Sequence, residues 1–127
     1  MLNISQDHLD WHGSFDAYVR AKARIFAART VQVLNRDDPL VAAMARRSAT
    51  VVTFRLQPPG QADEYGLLRD NGVTWLAYAE DLAQGHRRRR TGEAADAAEP
   101  LYLHRLIPAE ALAIRGRHNA GNALAAL

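Results

Sequence analysis

The 127-residue sequence contains no cysteine. That excludes a disulfide framework and a thiolate metal site, and it suits a reducing cytosol. No apolar run is long enough to cross a bilayer, and the N-terminus lacks a basic segment followed by an apolar stretch and a cleavage site. The chain therefore reads as soluble, untargeted and cytoplasmic, without a membrane partner. Its net charge is only +2, and the one dense basic run, Arg87-Arg88-Arg89-Arg90, lies between Gly85 and Gly92 with no aromatic interleaving. Glu93, Asp96 and Glu99 follow it, so it reads as a solvated loop and no nucleic-acid partner is expected. With 48% hydrophobic residues, the chain is long enough for one core and too short for two ordinary domains.

What the sequence does contain is a close-packed acid and imidazole cluster, Asp7-His8-Leu9-Asp10-Trp11-His12, followed shortly by Lys22. The stretch after the cluster predicts a helix: Ser14 can cap the free amides of a first turn, Asp16 complements the helix dipole, and the alanine-rich run to Ala28 holds no Gly or Pro. Phe15, Tyr18, Lys22, Ile25, Phe26 and Arg29 recur at spacings of three and four, which puts Lys22 among apolar side chains and away from Arg20 and Arg24. Two readings fit such a lysine. In one, its stem covers apolar surface while the ammonium reaches water. In the other, desolvation and nearby cations favour a neutral amine, which can capture carbon dioxide as a carbamate, a carboxylate-like metal ligand on a long arm. The histidine cluster just upstream favours the second.

The rest alternates strand and helix. Val31 to Leu34 predicts a short strand ending in the turn Asn35-Arg36-Asp37-Asp38-Pro39. Asp38 as cap and Pro39 at the first helical position open a helix from Leu40 to about Arg47, and Thr50 to Phe54 predicts a second strand. Strand, helix, strand with short connections implies a parallel, right-handed unit with ligands beyond the carboxyl ends of its strands, where Asn35 to Asp38 lie. Beyond Gln57-Pro58-Pro59-Gly60 the character changes: Tyr65 to Arg69 and Val73 to Ala79 flank Asp70-Asn71-Gly72, a hairpin signal. About Leu82 to Pro100 reads as a long loop, and Leu101 to Ile107 and Ala111 to Ile114 as further strand. The fold class is thus α/β: a partial parallel sheet with flanking helices (1–56 and 113–127) plus a small antiparallel annex and loop (57–112).

The chain closes with Gly116-Arg117-His118-Asn119-Ala120-Gly121-Asn122 and an alanine-rich helix. Asn119 and Asn122 are three apart, so their amides share one exposed face. A side-chain amide offers donor and acceptor together, which suits an adenine edge. The alternative is a capping role for Asn119 and a surface role for Asn122.

Four segments in order, Asn3 to Ser14, Tyr18 to Phe26, Val33 to Pro39 and Gly116 to Ala126, resemble the central ATPase domain of the Mur ligases. Within that family the resemblance is greatest to the members that add D-glutamate to UDP-N-acetylmuramoyl-L-alanine. The members that add the third residue, diaminopimelate or lysine, usually carry a glycine soon after the Asp-Asp-Pro turn and a phenylalanine before the first asparagine of the last motif. Here Val41 or its neighbours and His118 stand in those places. The resemblance implies ATP and magnesium as cofactors, with His8 and a carbamylated Lys22 holding the ion between ATP and substrate, and with Asn119 and Asn122 near adenine. It leaves Asp7, Asp10 and His12 to orient His8 and shape its loop, Tyr18 to packing and Arg24 to the surface. It also implies ligation through an acyl phosphate in cytoplasmic peptidoglycan precursor synthesis.

The departure from the family pattern is a missing phosphate loop: no G-x-x-x-x-G-K-[ST] occurs in the sequence. The chain is therefore expected to be part of a central domain, inactive in isolation. Two other classes stay open. His8 and His12 are four apart as in a metal-dependent hydrolase, although Leu9 and Asp10 stand where His-Glu-x-x-His would need its glutamate first. A non-enzymatic binding domain would use the arginine run.

Overall fold

The computed structural model describes residues 1–5, 13–27, 29–81 and 101–127. The first helix, α1 (Phe15–Ala23), begins as expected, with the Ser14 side chain accepting from the Ala17 N–H at 3.2 Å. It stops short of Ala28 because its hydrogen bonds tighten to i−3: Arg24, Ile25 and Phe26 donate to the carbonyls of Ala21, Lys22 and Ala23. The tighter turn buries Phe26 and leaves Ile25 60% exposed.

Strand β1 (Gln32–Asn35) pairs in parallel with β2 (Val51–Phe54), with Val33 opposite Val52. Between them α2 (Pro39–Ala42) is a single turn, not a helix to Arg47. The Asp38 carboxylate accepts from the Leu40 and Val41 amides at 2.9 and 3.2 Å, as a cap should. The helix stops because buried Gln32 competes for its backbone. Gln32 Nε2 donates to the Met44 carbonyl at 3.1 Å and its Oε1 accepts the Arg46 N–H at 2.7 Å.

Strand β3 (Glu64–Asp70) joins β2 in parallel through Thr53–Glu64 and Phe54–Tyr65, then turns into β4 (Val73–Asp81). The two turn residues, Asn71 and Gly72, have φ of +49° and +80°, the left-handed pair that a type I′ hairpin requires. Strand β5 (Leu101–Pro108) pairs antiparallel with β4, with a register shift between Leu76 and Ala77. The expected strand at Ala111 to Ile114 is absent: a 3₁₀ turn (Ala109–Ala111) follows Pro108, and helix α3 (Arg117–Ala126) closes the chain.

The strands form one mixed sheet in the order β1-β2-β3-β4-β5, so the antiparallel section continues the parallel one. Adjacent residues of a strand face opposite ways. Leu34 packs with Ile4, Tyr18, Phe26 and Val41 under α1 and α2, while Val33 faces Phe54, Leu67, Leu76, Ala120 and Leu124 under α3. Helices thus cover both faces, and each fully buried aliphatic side chain contributes about 1.5–3 kcal/mol. Among the described residues no helix is long and apolar enough to cross a membrane.

The loop between β2 and β3 is held by a buried acid. Glu64 is 0% exposed. Its Oε1 accepts from Arg36 Nη1 at 2.9 Å and Thr53 Oγ1 at 3.2 Å, and its Oε2 from the Gly60 N–H at 2.7 Å. Every strong acceptor is occupied, which is the condition for burying a carboxylate.

Candidate functional site

Lys22 lies in the last turn of α1, one helical turn after Tyr18 and on the same side of the helix. The sequence pattern assigned it that side, but the burial expected for it does not hold. Lys22 is exposed, as are Ile25 and Arg29, whereas Tyr18 and Phe26 are buried and Phe15 is half-buried. The physical reason is the early end of α1: the apolar stripe is continuous in sequence, but the chain turns before Lys22 is covered. Its ammonium instead stands over the Tyr18 ring, with Nζ 5.4 Å from the centroid. Its stem and head follow the water-reaching alternative, in an orientation set by an aromatic ring.

His8 and its neighbours Asp7, Asp10 and His12 lie outside the described residues, as does the Arg87 to Arg90 run. Among the described residues no group of three or more His, Asp or Glu side chains is placed to hold a metal ion. Magnesium takes a nearly octahedral set of oxygens. An ammonium offers none, so Lys22 fits the ion only as a carbamate and only with ligands from outside the described residues.

The turn at the carboxyl ends of β1 and β2 is occupied by structural hydrogen bonds. Asn35 accepts the Asp37 N–H at 2.9 Å and donates to the Leu2 carbonyl at 2.8 Å. Asp37 accepts the Leu56 N–H at 2.6 Å, and the second oxygen of Asp38 accepts the Ile4 N–H at 2.8 Å. The Asn35 N–H also donates to the Met1 carbonyl at 3.2 Å. These residues hold residues 1–5 against the carboxyl end of β1. Ile4 is thereby tied to the strand end where an α/β sheet places its ligands.

Helix α3 starts after Gly116, whose φ of +108° suits glycine and which supplies no side-chain cap. Ala120, Gly121 and Leu124 are buried, Asn122 is exposed and Asn119 half-exposed, so both asparagines turn outward. Asn119 spends one amide proton on the Arg115 carbonyl at 2.9 Å, locking the approach to the helix. A cleft of about 510 Å³ opens at this end, lined among others by Leu67, Thr74, Glu110, Arg115, Arg117 and Ala120. Asn119 and Asn122 are not among its lining residues, although Asn119 bonds to Arg115, which is.

Lys22 and the two asparagines thus ride on helices covering opposite faces of the sheet. A ligand touching both would have to reach around an end or an edge of the sheet. Sequence reasoning missed the Arg36–Glu64 pair, the Asp38–Ile4 link and the Tyr18–Lys22 contact. The last was detectable as an aromatic four residues before a lysine; the first two join residues 28 and 34 positions apart.

A family model described as the Mur ligase middle domain matches residues 1–127. Curated relatives named UDP-N-acetylmuramoylalanine–D-glutamate ligase include one from Cupriavidus metallidurans, 53% identical, with 100% of this chain aligned to 27% of that protein. One from Burkholderia multivorans is 54% identical over 99% of this chain and 27% of its own length. Another from Ralstonia nicotianae is 51% identical over 100% of this chain and 26% of its own length. The chain spans about a quarter of the length of the curated relatives it matches.

Proposed function

The chain belongs to the Mur ligase middle-domain family, and from that premise we propose that it is the central, ATP-handling part of a cytoplasmic enzyme that joins D-glutamate to UDP-N-acetylmuramoyl-L-alanine. The observation that carries the reading is identity of 51–54% along essentially the whole chain to ligases named for that reaction. In the whole protein the γ-phosphoryl group of ATP passes to the substrate carboxylate. The amine of D-glutamate then attacks the acyl phosphate, and the tetrahedral adduct collapses to amide and phosphate.

His8 and carbamylated Lys22 hold magnesium in this reading, and Asn119 and Asn122 meet the adenine. Exposure of Lys22 leaves its amine open to carbon dioxide but supplies none of the desolvation that favours a neutral amine, so the assignment rests on the family match. The outward position of Asn122 and half-exposure of Asn119 support the second assignment. Magnesium, when bound, neutralises charge on the phosphoryl oxygens. The chain's own part is to supply that oxygen ligand from Lys22 and to orient the nucleotide by its side-chain amides. With no phosphate loop in this sequence, the isolated chain should not ligate.

The test measures phosphate release by the full-length parent with UDP-N-acetylmuramoyl-L-alanine and a panel of amino acids. D-Glutamate should be the acceptor used, and Lys22→Ala should reduce turnover at least about a hundredfold, by loss of charge stabilisation at the transferring group. Use of diaminopimelate or lysine on the D-glutamate-extended substrate instead would overturn the assignment.

A further inference from the structure

The Tyr18 ring under the Lys22 ammonium is held firmly. Tyr18 is 6% exposed, packed with Ile4, Phe26, Leu34 and Val41, and its ring lies 6.3 Å from that of Phe15, centroid to centroid. Lys22 is exposed, with its Nζ 5.4 Å from the ring centroid. An aromatic face is electronegative, so it attracts an ammonium and repels an anion. Carbamylation reverses the charge at this position. The ammonium gives one proton to solvent, the nitrogen lone pair bonds to the carbon of carbon dioxide, one C=O π pair moves onto oxygen, and the nitrogen releases a second proton. The product is anionic and loses the attraction that held its precursor.

We propose that Tyr18 is a positioning residue that holds unmodified Lys22 in a resting place over its ring, in competition with carbamylation, so that Lys22 becomes a metal ligand only by leaving Tyr18. The proposal rests on the reading of Lys22 as the carbamylated residue, and it adds a role for a residue otherwise assigned to packing.

The experiment is ¹³C NMR of the intact chain equilibrated with ¹³C-bicarbonate, in which a lysine carbamate gives its own carbonyl resonance. Loss of that resonance in Lys22→Arg assigns it. Tyr18→Phe keeps the ring and should raise the carbamate fraction less than Tyr18→Leu does. Tyr18→Leu should raise the carbamate fraction at sub-saturating bicarbonate about two- to fivefold, the weight of an exposed cation–π contact. Replacement of Tyr18 by pentafluorophenylalanine, which keeps the ring but reverses its quadrupole, should do the same without leaving a cavity, and so covers the case in which Tyr18→Leu misfolds. Equal carbamate in wild type and the pentafluoro variant would overturn the role of Tyr18 and leave the modification of Lys22 standing. Absence of the resonance from wild type and all variants would overturn both.

Discussion

Gly66→Ala should destabilise this chain by about 2–5 kcal/mol, through steric overlap and a stretched hydrogen bond. A Cβ built at Gly66 would overlap the Gln57 carbonyl oxygen and stand 2.8 Å from Pro59 Cδ and 2.9 Å from Pro59 N. Ordinary contact is about 3.5–4.0 Å, so the Gln57 to Pro59 backbone would have to retreat by roughly 1 Å. That same Gln57 oxygen accepts the Leu67 N–H at 3.1 Å, one residue further along β3. Retreat would carry it beyond hydrogen-bonding distance. Overpacking costs about 1–3 kcal/mol, and a stranded buried amide another 1–3, roughly. Against this, alanine stiffens the unfolded chain, a gain of only about 0.4–1 kcal/mol. The clash wins. Gly60→Ala is the matched control: its Cβ would meet nothing nearer than Glu64 Oε2 at 3.8 Å, so it should stay within about 0.5 kcal/mol of wild type. Urea unfolding followed by far-UV circular dichroism measures both variants. Equal midpoints for the two substitutions would refute the close approach on which the β2–β3 loop depends.

Glu64→Gln keeps the shape of the buried acid but leaves Arg36 without a counter-charge and sets one amide half against a donor, Gly60 N–H or Arg36. It should cost about 2–3 kcal/mol by the same urea assay, and unchanged stability would count against the network as an anchor. Tyr78 donates to Asp63 at 2.7 Å, and that bond, followed by burial and the negative charge of Asp63, pushes its pKa up to about 12. Because the folded pKa lies above the unfolded value of 10.0, the contribution is fully present below that value and is lost as pH rises toward 12. Absorbance titration at ~295 nm should show a late-titrating component that disappears in Tyr78→Phe; a late component unchanged by that substitution would refute it.

Local signals carried far in this chain. Ser14 and Asp38 were readable as caps because capping needs only an acceptor next to amides two or three residues on, and Asn71-Gly72 as a hairpin because few residue pairs accept two left-handed conformations. The extents of α1 and α2 were not readable. They end where Gln32, in another strand, takes up backbone groups near Met44, and where a tighter turn buries Phe26 at the expense of Lys22 and Ile25.

The sequence alone sufficed for the class of fold, the parallel-then-antiparallel order of strands and the family resemblance, since each depends on short-range periodicity or on contiguous motifs. Which side chains are covered, which carboxylates are already committed and which sheet faces carry Lys22 and the two asparagines depend on contacts between residues distant in the chain. Lys22 illustrates the division. Its helical face follows from spacing, but its exposure and its seat on Tyr18 follow from where α1 stops, because burial depends on neighbours that periodicity does not encode.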